Sequence, residues 1–150
     1  MNICIVLSTR PEIIKLSPII QKLKEKKDNY YLINTGQHTL KKMSKVFFDL
    51  FKIKGKIFNI KSKRKTQNIF FSSTIKEISK ILENNKPDFL IVQGDTNTSL
   101  AGCLAASLLN RNLTKDKKIK IVHIESGLRS FDNNMPEEIN RKIIDQLSDV

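Results

Sequence analysis

Short apolar runs alternate along this chain with longer segments in which apolar residues recur at helical spacing. A continuous apolar run is typical of a strand covered on both faces, whereas a three- and four-residue spacing predicts an amphipathic helix. The predicted strands are Asn2 to Leu7, Tyr30 to Asn34, Ile57 to Ile60, Asp88 to Val92 and Ile119 to Ile124. Five helices are predicted. The first begins at Pro11 and includes Leu23, and the others are Leu40 to Phe51, Asn68 to Asn84, Ser99 to Leu109 and Pro136 to Leu147.

Strands that alternate with helices predict an α/β fold, because right-handed βαβ crossovers place helices on both faces of a parallel sheet. Small residues at Ala101, Gly102, Ala105 and Ala106 predict one helix that packs closely on that sheet. The 150 residues fit one domain, 1–150. The chain stops directly after its last predicted helix with no closing strand, so we interpret it as an incomplete Rossmann-like domain.

Composition excludes several classes of protein. No apolar run approaches the length of a membrane span, and the chain opens on a strand and not on a signal peptide. Cys4 and Cys103 lie in apolar segments, which indicates two small buried side chains in a reducing cytoplasm. Their spacing from His38 and His123 does not match a zinc site, so no metal is predicted.

The net charge of +12 raises the question of nucleic-acid binding. Most of this charge is lysine spread over predicted helix faces and loops, and the dense cluster Lys61 to Lys65 contains no aromatic residue. We therefore predict no nucleic-acid partner and interpret the charge as a lysine-rich surface. An anionic substrate would benefit from the same field.

Polar residues follow four of the predicted strands. Since the carboxyl ends of parallel strands form one rim, these segments should meet there. They are Ser8 to Arg10, Gln37 and His38, Gly94 to Thr96, and Glu125 to Asp132. Backbone N–H groups at the helix starts would favour an anion such as phosphate, and Arg10 and Lys15 could add charge-assisted hydrogen bonds to a pyrophosphate.

Three carboxylates are candidates for proton transfer at this rim. Asp95 follows a strand, Glu125 should project from the same edge, and Glu137 lies in the first turn of the last helix with Arg141 one turn further on the same face. Asp95 could equally serve as a turn or capping residue. His123 lies inside an apolar strand and is predicted to be structural. The phosphate-loop and dinucleotide fingerprints are absent from the sequence, so no nucleotide cofactor is predicted.

Four segments in register resemble the non-hydrolysing UDP-N-acetylglucosamine 2-epimerases. They are STRPEIIKLSPII (8–20), TGQH (35–38), VQGDTNTSLAG (92–102) and HIESGLRSFDNNMPEEINR (123–141). The resemblance implies the N-terminal half of a GT-B-like two-domain fold with the substrate between the halves. It also implies interconversion of UDP-N-acetylglucosamine and UDP-N-acetylmannosamine without a metal or nicotinamide, and a homo-oligomer in the intact family.

The resemblance assigns roles to particular residues. It implies that the acid/base groups are Asp95, Glu125 and Glu137. It also implies that three cations, Arg10, Lys15 and Arg141, bind the nucleotide phosphates or orient those carboxylates. Gln37 and His38 match a region where bacterial members bind a second, regulatory substrate molecule.

The chain also departs from the family pattern. Ser8 replaces a usual glycine, Lys61 to Asn68 matches poorly, and the loop Asn110 to Lys118 is longer than usual. The C-terminal half of the family is absent, so a complementary half is an expected partner. Two alternatives to an epimerase half remain: a non-catalytic remnant or sugar-nucleotide binding module, and half of a GT-B glycosyltransferase.

Overall fold

Five parallel strands form the centre of the protein, in the order β3-β2-β1-β4-β5. A computed structural model describes residues 1–36, 41–53, 55–62 and 66–150, with the backbone alone for 41–45. The strands are β1 Asn2–Leu7, β2 Asn29–Asn34, β3 Lys56–Asn59, β4 Phe89–Gln93 and β5 Lys120–Ile124. The helices are α1 Arg10–Glu25, α2 Lys41–Leu50, α3 Gln67–Asn85, α4 Asn97–Asn110 and α5 Pro136–Leu147. The predicted elements are confirmed, with boundaries within about two residues wherever both ends were predicted.

Helices cover both faces of the sheet, as the alternating pattern predicts. On one face, Ile3, Ile5 and Leu7 of β1 pack with apolar residues of α1 and α2. On the other, Cys4 and Val6 pack with α3, α4 and α5. The sheet separates two apolar clusters because successive side chains of β1 point to opposite faces.

The start of α1 is fixed by reciprocal capping. Thr9 is the N-cap, its side chain accepts from the backbone N–H of Glu12, and the Glu12 carboxylate accepts from the backbone N–H of Thr9. Pro11 stands in the first turn, where its missing N–H costs nothing. Further along, Pro18 removes the donor that the carbonyl of Ile14 would use, and the hydroxyl of Ser17 donates to that carbonyl at 2.8 Å.

Three helices are followed by a lysine with positive φ. Lys27 (φ 57°), Lys52 (φ 50°) and Lys86 (φ 44°) occupy the left-handed region in which helices usually place glycine. Local backbone hydrogen bonds close these helix ends, from the N–H of Asp28 to the carbonyl of Leu23, of Ile53 to Phe48 and of Lys86 to Leu82.

The loop between α4 and β5 is closed by one side chain. The amide of Asn110 donates to the carbonyl of Ile119 and accepts from its N–H, both at 2.8 Å. A short 3-10 turn, Lys115–Lys117, lies within this exposed loop and was not predicted. Beyond α5, Val150 bonds to the backbone of Ile121 and His123 in the manner of a parallel strand beside β5.

Both cysteines are free and buried, as expected, and burial raises the pKa of each thiol, to about 12 for Cys103. Among the described residues, no helix has the length and apolarity needed to cross a membrane.

The close approach of α4 to the sheet depends on Gly102. A Cβ placed there would lie 3.3 Å from Val92 Cγ1 and 3.4 Å from Val6 Cγ2. The predicted close packing of the small residues of α4 is therefore confirmed, because Ala101, Ala105 and Ala106 are also fully buried.

Gly102→Leu should lower the free energy of unfolding by about 1–3 kcal/mol or more, since a bulky side chain must push α4 off the two valines. Ser107→Leu, on a partly exposed position of the same helix, is the matched control. Both substitutions raise helix propensity, so the difference between their free energies of unfolding, measured by urea denaturation, reports the packing of α4 on the sheet. Equal stability of the two variants would contradict the close contact.

Candidate active site

Three of the four polar segments predicted to share a rim meet at the carboxyl end of the sheet, and the fourth, Gln37 and His38, lies outside the described residues. β1 and β4 are neighbours in the sheet, and their following loops lead to α1 on one face and α4 on the other. This divergence is the switch point at which ligands bind in open α/β sheets. The loop after β5 reaches the same rim, so the candidate site is assembled from three loops.

Glu12 connects two of these loops from a fully buried position. Its Oε2 accepts from the backbone N–H groups of Ser8 at 2.9 Å and Thr9 at 2.6 Å. Its Oε1 accepts from the hydroxyl of Thr96 at 2.7 Å and lies 3.2 Å from the hydroxyl of Ser99, whose single hydrogen it shares with the carbonyl of Gln93 at 2.7 Å. Four donors on one buried carboxylate fix the start of α1 against the start of α4.

Glu125 stands at the rim with a cation and an amide on the same oxygen. Lys15 Nζ lies 2.6 Å from its Oε2, and the amide of the buried Gln93 donates to that oxygen as well. Glu125 adopts φ 72°, a left-handed conformation that is unusual for a non-glycine residue and is typical of functional sites. Gly94 (φ 67°) lies opposite, where a Cβ would come within 3.8 Å of the same oxygen.

Asp95 forms an ion pair with Arg141. Its Oδ2 accepts from Nε at 2.9 Å and from Nη2 at 2.7 Å, so the guanidinium approaches with two donors. Arg141 Nη1 in turn donates to Glu138 at 3.0 Å. Desolvation would lower the pKa of Arg141, but the hydrogen bonds that it donates to Asp95 and Glu138 outweigh this and raise the pKa, so this cation is charged throughout the accessible pH range.

Glu138 anchors this pair from a buried position in the first turn of α5. Its pKa is lowered to about 2, and the largest cause is the hydrogen bond from the Ser130 backbone N–H. Desolvation opposes this shift, whereas Arg141, the Ser130 hydroxyl and Lys142 lower the pKa further. Asn140 adds a second link by donating to the backbone carbonyl of Asp95 at 2.8 Å. The loop that carries Asp95 is thus fixed by α5 as well as by α4.

His123 is enclosed and has polar partners on both sides, which confirms the prediction of a structural histidine. Its Nδ1 lies 2.6 Å from Asp145 and its Nε2 lies 2.8 Å from the carbonyl oxygen of Gly94. Both ring nitrogens are therefore engaged by groups of the protein.

The other sequence candidates occupy varied positions. Glu137 is exposed, and the glutamate that Arg141 contacts is its neighbour Glu138. Arg10 is exposed at the start of α1, with its guanidinium 5.8 Å from the ring centroid of Phe47. Gln37 and His38 lie outside the described residues, so their regulatory role stays a prediction.

One expectation about anion binding needs correction. The backbone N–H groups of Ser8 and Thr9, expected to face an anion at the start of α1, donate to the Glu12 carboxylate instead. The N–H of Glu12 is directed to the Thr9 hydroxyl. An anion in this crevice would therefore depend on side-chain cations more than on this helix terminus.

The arrangement combines two partly exposed carboxylates, Asp95 and Glu125, with two cations, Arg141 and Lys15. Such a set can move a proton on a bound substrate while cations balance charge on a departing anionic group. Among the described residues, no group of three or more His, Cys, Asp or Glu is arranged to hold a metal ion.

Sequence reasoning did not assign functional weight to Glu12, Gln93, Glu138, Asn140 or Asp145. The signal for Glu12 was available, since Thr9 and Glu12 have the spacing of a capping box. Gln93 and Asn140 carried no comparable signal, because each looks like an ordinary polar residue at the end of a strand or on a helix.

Glu12→Ala should lower the free energy of unfolding by at least about 2 kcal/mol, because it leaves buried N–H and hydroxyl donors without their acceptor. Glu25→Ala, at the exposed end of the same helix in a surface pair with Lys22, should change it by less than about 1 kcal/mol. Urea denaturation of both variants measures the difference. A Glu12→Ala protein as stable as Glu25→Ala would show that the four-donor cluster contributes nothing.

The lowered pKa of Glu138 predicts an acid-dependent contribution to stability. A carboxylate with a folded-state pKa below its unfolded value stabilises the fold above the unfolded pKa and loses that contribution as the pH falls. From pH 4.5 towards pH 2, the free energy of unfolding should therefore decline less steeply in Glu138→Gln than in the unaltered chain. Glu77→Gln, at a partly exposed position on α3, should keep the original slope. Parallel slopes in Glu138→Gln and the unaltered chain would refute the assignment.

The comparisons with known proteins agree on one family. A family model described as UDP-N-acetylglucosamine 2-epimerase matches residues 21–150. The UDP-N-acetylglucosamine 2-epimerases of Methanococcus maripaludis and Methanocaldococcus jannaschii are 48% and 45% identical over 148 residues, which is 99% of this chain and 38% of each relative.

A solved structure gives the same result for the fold. The Methanocaldococcus jannaschii UDP-GlcNAc 2-epimerase, crystallised with UDP-GlcNAc and UDP, superposes with a TM-score of 0.88 at 45% identity, covering 99% of this chain and 39% of that one. This chain therefore spans about two-fifths of the length of its relatives, at their N-terminal side. The expected Rossmann-like N-terminal half of a GT-B-like fold is confirmed. With its sequence and its sheet both matched from end to end, the chain belongs to the UDP-N-acetylglucosamine 2-epimerase family.

Proposed function

We propose that this chain supplies the acid/base half of an active site that interconverts UDP-N-acetylglucosamine and UDP-N-acetylmannosamine, a precursor step for surface glycans. The observation that carries the proposal is the pairing at one rim of Asp95 with Arg141 and of Glu125 with Lys15. Proton transfer at carbon beside a departing diphosphate needs both kinds of group close together. Family membership supports the choice of substrate.

The proposed reaction is a reversible elimination without net hydrolysis. A carboxylate takes the proton from C2 of the sugar, the electron pair of that C–H bond forms the C1–C2 double bond, and the C1–O bond breaks as UDP departs with its electrons. UDP then adds back to C1 of the 2-acetamidoglucal while a proton returns to C2 from the other face. Asp95, Glu125 and Glu137 are the acid/base groups in this scheme.

Lys15, Arg141 and Arg10 are proposed to bind the diphosphate or to orient the carboxylates. The first two already contact a carboxylate, so a diphosphate would have to share or replace those contacts. A cation that contacts both the diphosphate and a carboxylate couples departure of the leaving group to the charge of the base, which favours the elimination transition state.

Several further features of the intact system are proposals from the resemblance. We infer a complementary C-terminal half that closes the crevice and completes the substrate site, a homo-oligomeric assembly, and a cytoplasmic location. The two free, buried thiols are compatible with a reducing compartment. A regulatory site at Gln37 and His38 belongs to the same set.

The test is NMR of UDP-N-acetylglucosamine in D₂O, with this chain alone and with a separately produced C-terminal part of a relative. Deuterium should appear at C2 in the mixture, because the acid/base groups then meet a complete nucleotide site. Asp95→Asn, Glu125→Gln and Glu137→Gln should each slow this exchange by about 10²-fold or more.

Asp116→Asn is the matched control, since that exposed carboxylate lies in the loop before β5, at the amino end of the sheet. It should leave the exchange rate unchanged. A mixture that forms a complex but exchanges nothing at C2 would favour the non-catalytic binding module. Transfer of the sugar to an acceptor in place of C2 exchange would favour the glycosyltransferase half.

A further inference from the structure

A polar network behind the candidate site has no part in the scheme above. It consists of His123 on β5, Asp145 on α5 and Arg129 in the loop between them. The His123 side chain is fully enclosed, while that of Asp145 is 13% exposed. Burial of an imidazole ring is unfavourable unless both of its nitrogens have hydrogen-bond partners.

The hydrogen-bond partners define which ring nitrogens carry hydrogen. Nε2 lies 2.8 Å from the carbonyl oxygen of Gly94, which can only accept, so Nε2 must donate. Nδ1 lies 2.6 Å from Oδ1 of Asp145, and an ionised carboxylate can only accept as well. If Asp145 is ionised, both nitrogens donate and the ring is an imidazolium.

The surroundings of Asp145 favour its ionised form. Its Oδ2 accepts from Arg129 Nη2 at 2.6 Å and from the backbone N–H of Gly127 at 3.2 Å. Desolvation alone would raise its pKa, but the hydrogen bonds from Arg129, His123 and Gly127 together hold the pKa of Asp145 below its usual value. Arg129 and His123 thus converge on one ionised carboxylate.

This network joins the two loops that carry the candidate carboxylates. On one side, His123 holds the carbonyl of Gly94, the residue directly before Asp95. On the other, Asp145 holds Gly127 and Arg129, two and four residues after Glu125. The backbone of His123 also donates to the carbonyl of Val150 at 2.8 Å, so the ring is anchored in the sheet.

We propose that His123 is a positioning residue that, as an imidazolium bonded to Asp145 and to the Gly94 carbonyl, sets the relative position of Asp95 and Glu125. Only the catalytic consequence rests on the proposed epimerase function. The charge state and the link between the loops depend on the geometry alone.

The first measurement is the protonation of the His123 ring in the ¹⁵N-labelled chain at neutral pH. Long-range ¹H–¹⁵N spectra should show both ring nitrogens protonated, with the signal of His38, the only other histidine, assigned by its substitution. An unprotonated Nδ1 or Nε2 would overturn the imidazolium. This result does not depend on any activity.

The second measurement uses His123→Phe, which keeps a planar ring and removes both donors. The N–H of Gly127 should exchange with D₂O at least about tenfold faster, because Asp145 loses the partner that orients it. Ile144→Val is the control, since it loosens the buried side of α5 next to Asp145 and leaves the polar network intact. Equal Gly127 protection in His123→Phe and Ile144→Val would overturn the link between the loops.

The catalytic consequence is measured by C2 exchange in the two-part mixture. His123→Phe should lower kcat by about 10²-fold with KM changed much less, since misplaced carboxylates act on a substrate that still binds. Loss confined to KM would overturn the positioning role. If the unaltered mixture shows no C2 exchange, the proposed function fails, whereas the two NMR measurements still decide the state of His123.

Discussion

The buried carboxylate of Glu12 is the interaction on which the candidate site depends. It lies where β1 and β4 send their loops to opposite faces of the sheet, and it joins the starts of α1 and α4 through four donors. Without such an acceptor, the N–H groups and hydroxyls at this divergence would be buried unpaired. Because the two helix starts are held together, Lys15 on α1 and Asp95 before α4 face one crevice.

The carboxylates of the site differ in burial and in the partners that compensate their charge. The most buried carboxylates are Glu12, which accepts hydrogen bonds on both oxygens, and Glu138, whose Oε2 accepts from Ser130 and Arg141. The partly exposed Asp95 and Glu125 each pair with one cation. The half-exposed Lys15–Glu125 pair contributes little to stability and can rearrange readily. The inner groups thus provide rigidity, and the outer groups remain available to a ligand.

The sequence predicts the succession of strands and helices along the chain well and the contacts among buried polar residues poorly. Periodicity locates all ten regular elements, and the carboxyl ends of parallel strands locate Asp95 and Glu125. The sequence does not show whether Glu137 or Glu138 contacts Arg141. Adjacent helix positions point about 100° apart, and the contact that forms depends on how α5 is rotated about its axis. Glu12 and Thr96 are 84 residues apart, so their contact has no local signature.

The lysines at positive φ after α1, α2 and α3 have a consequence for motion. A left-handed conformation costs a non-glycine residue about 1–2 kcal/mol, and three such positions are a sizeable fraction of a typical domain stability of about 5–15 kcal/mol. Local opening relieves that cost before the core separates. Lys27 and Lys86 precede β2 and β4, so opening at these two lysines would begin at the amino end of the sheet, whereas the strained Glu125 (φ 72°) lies at the opposite rim.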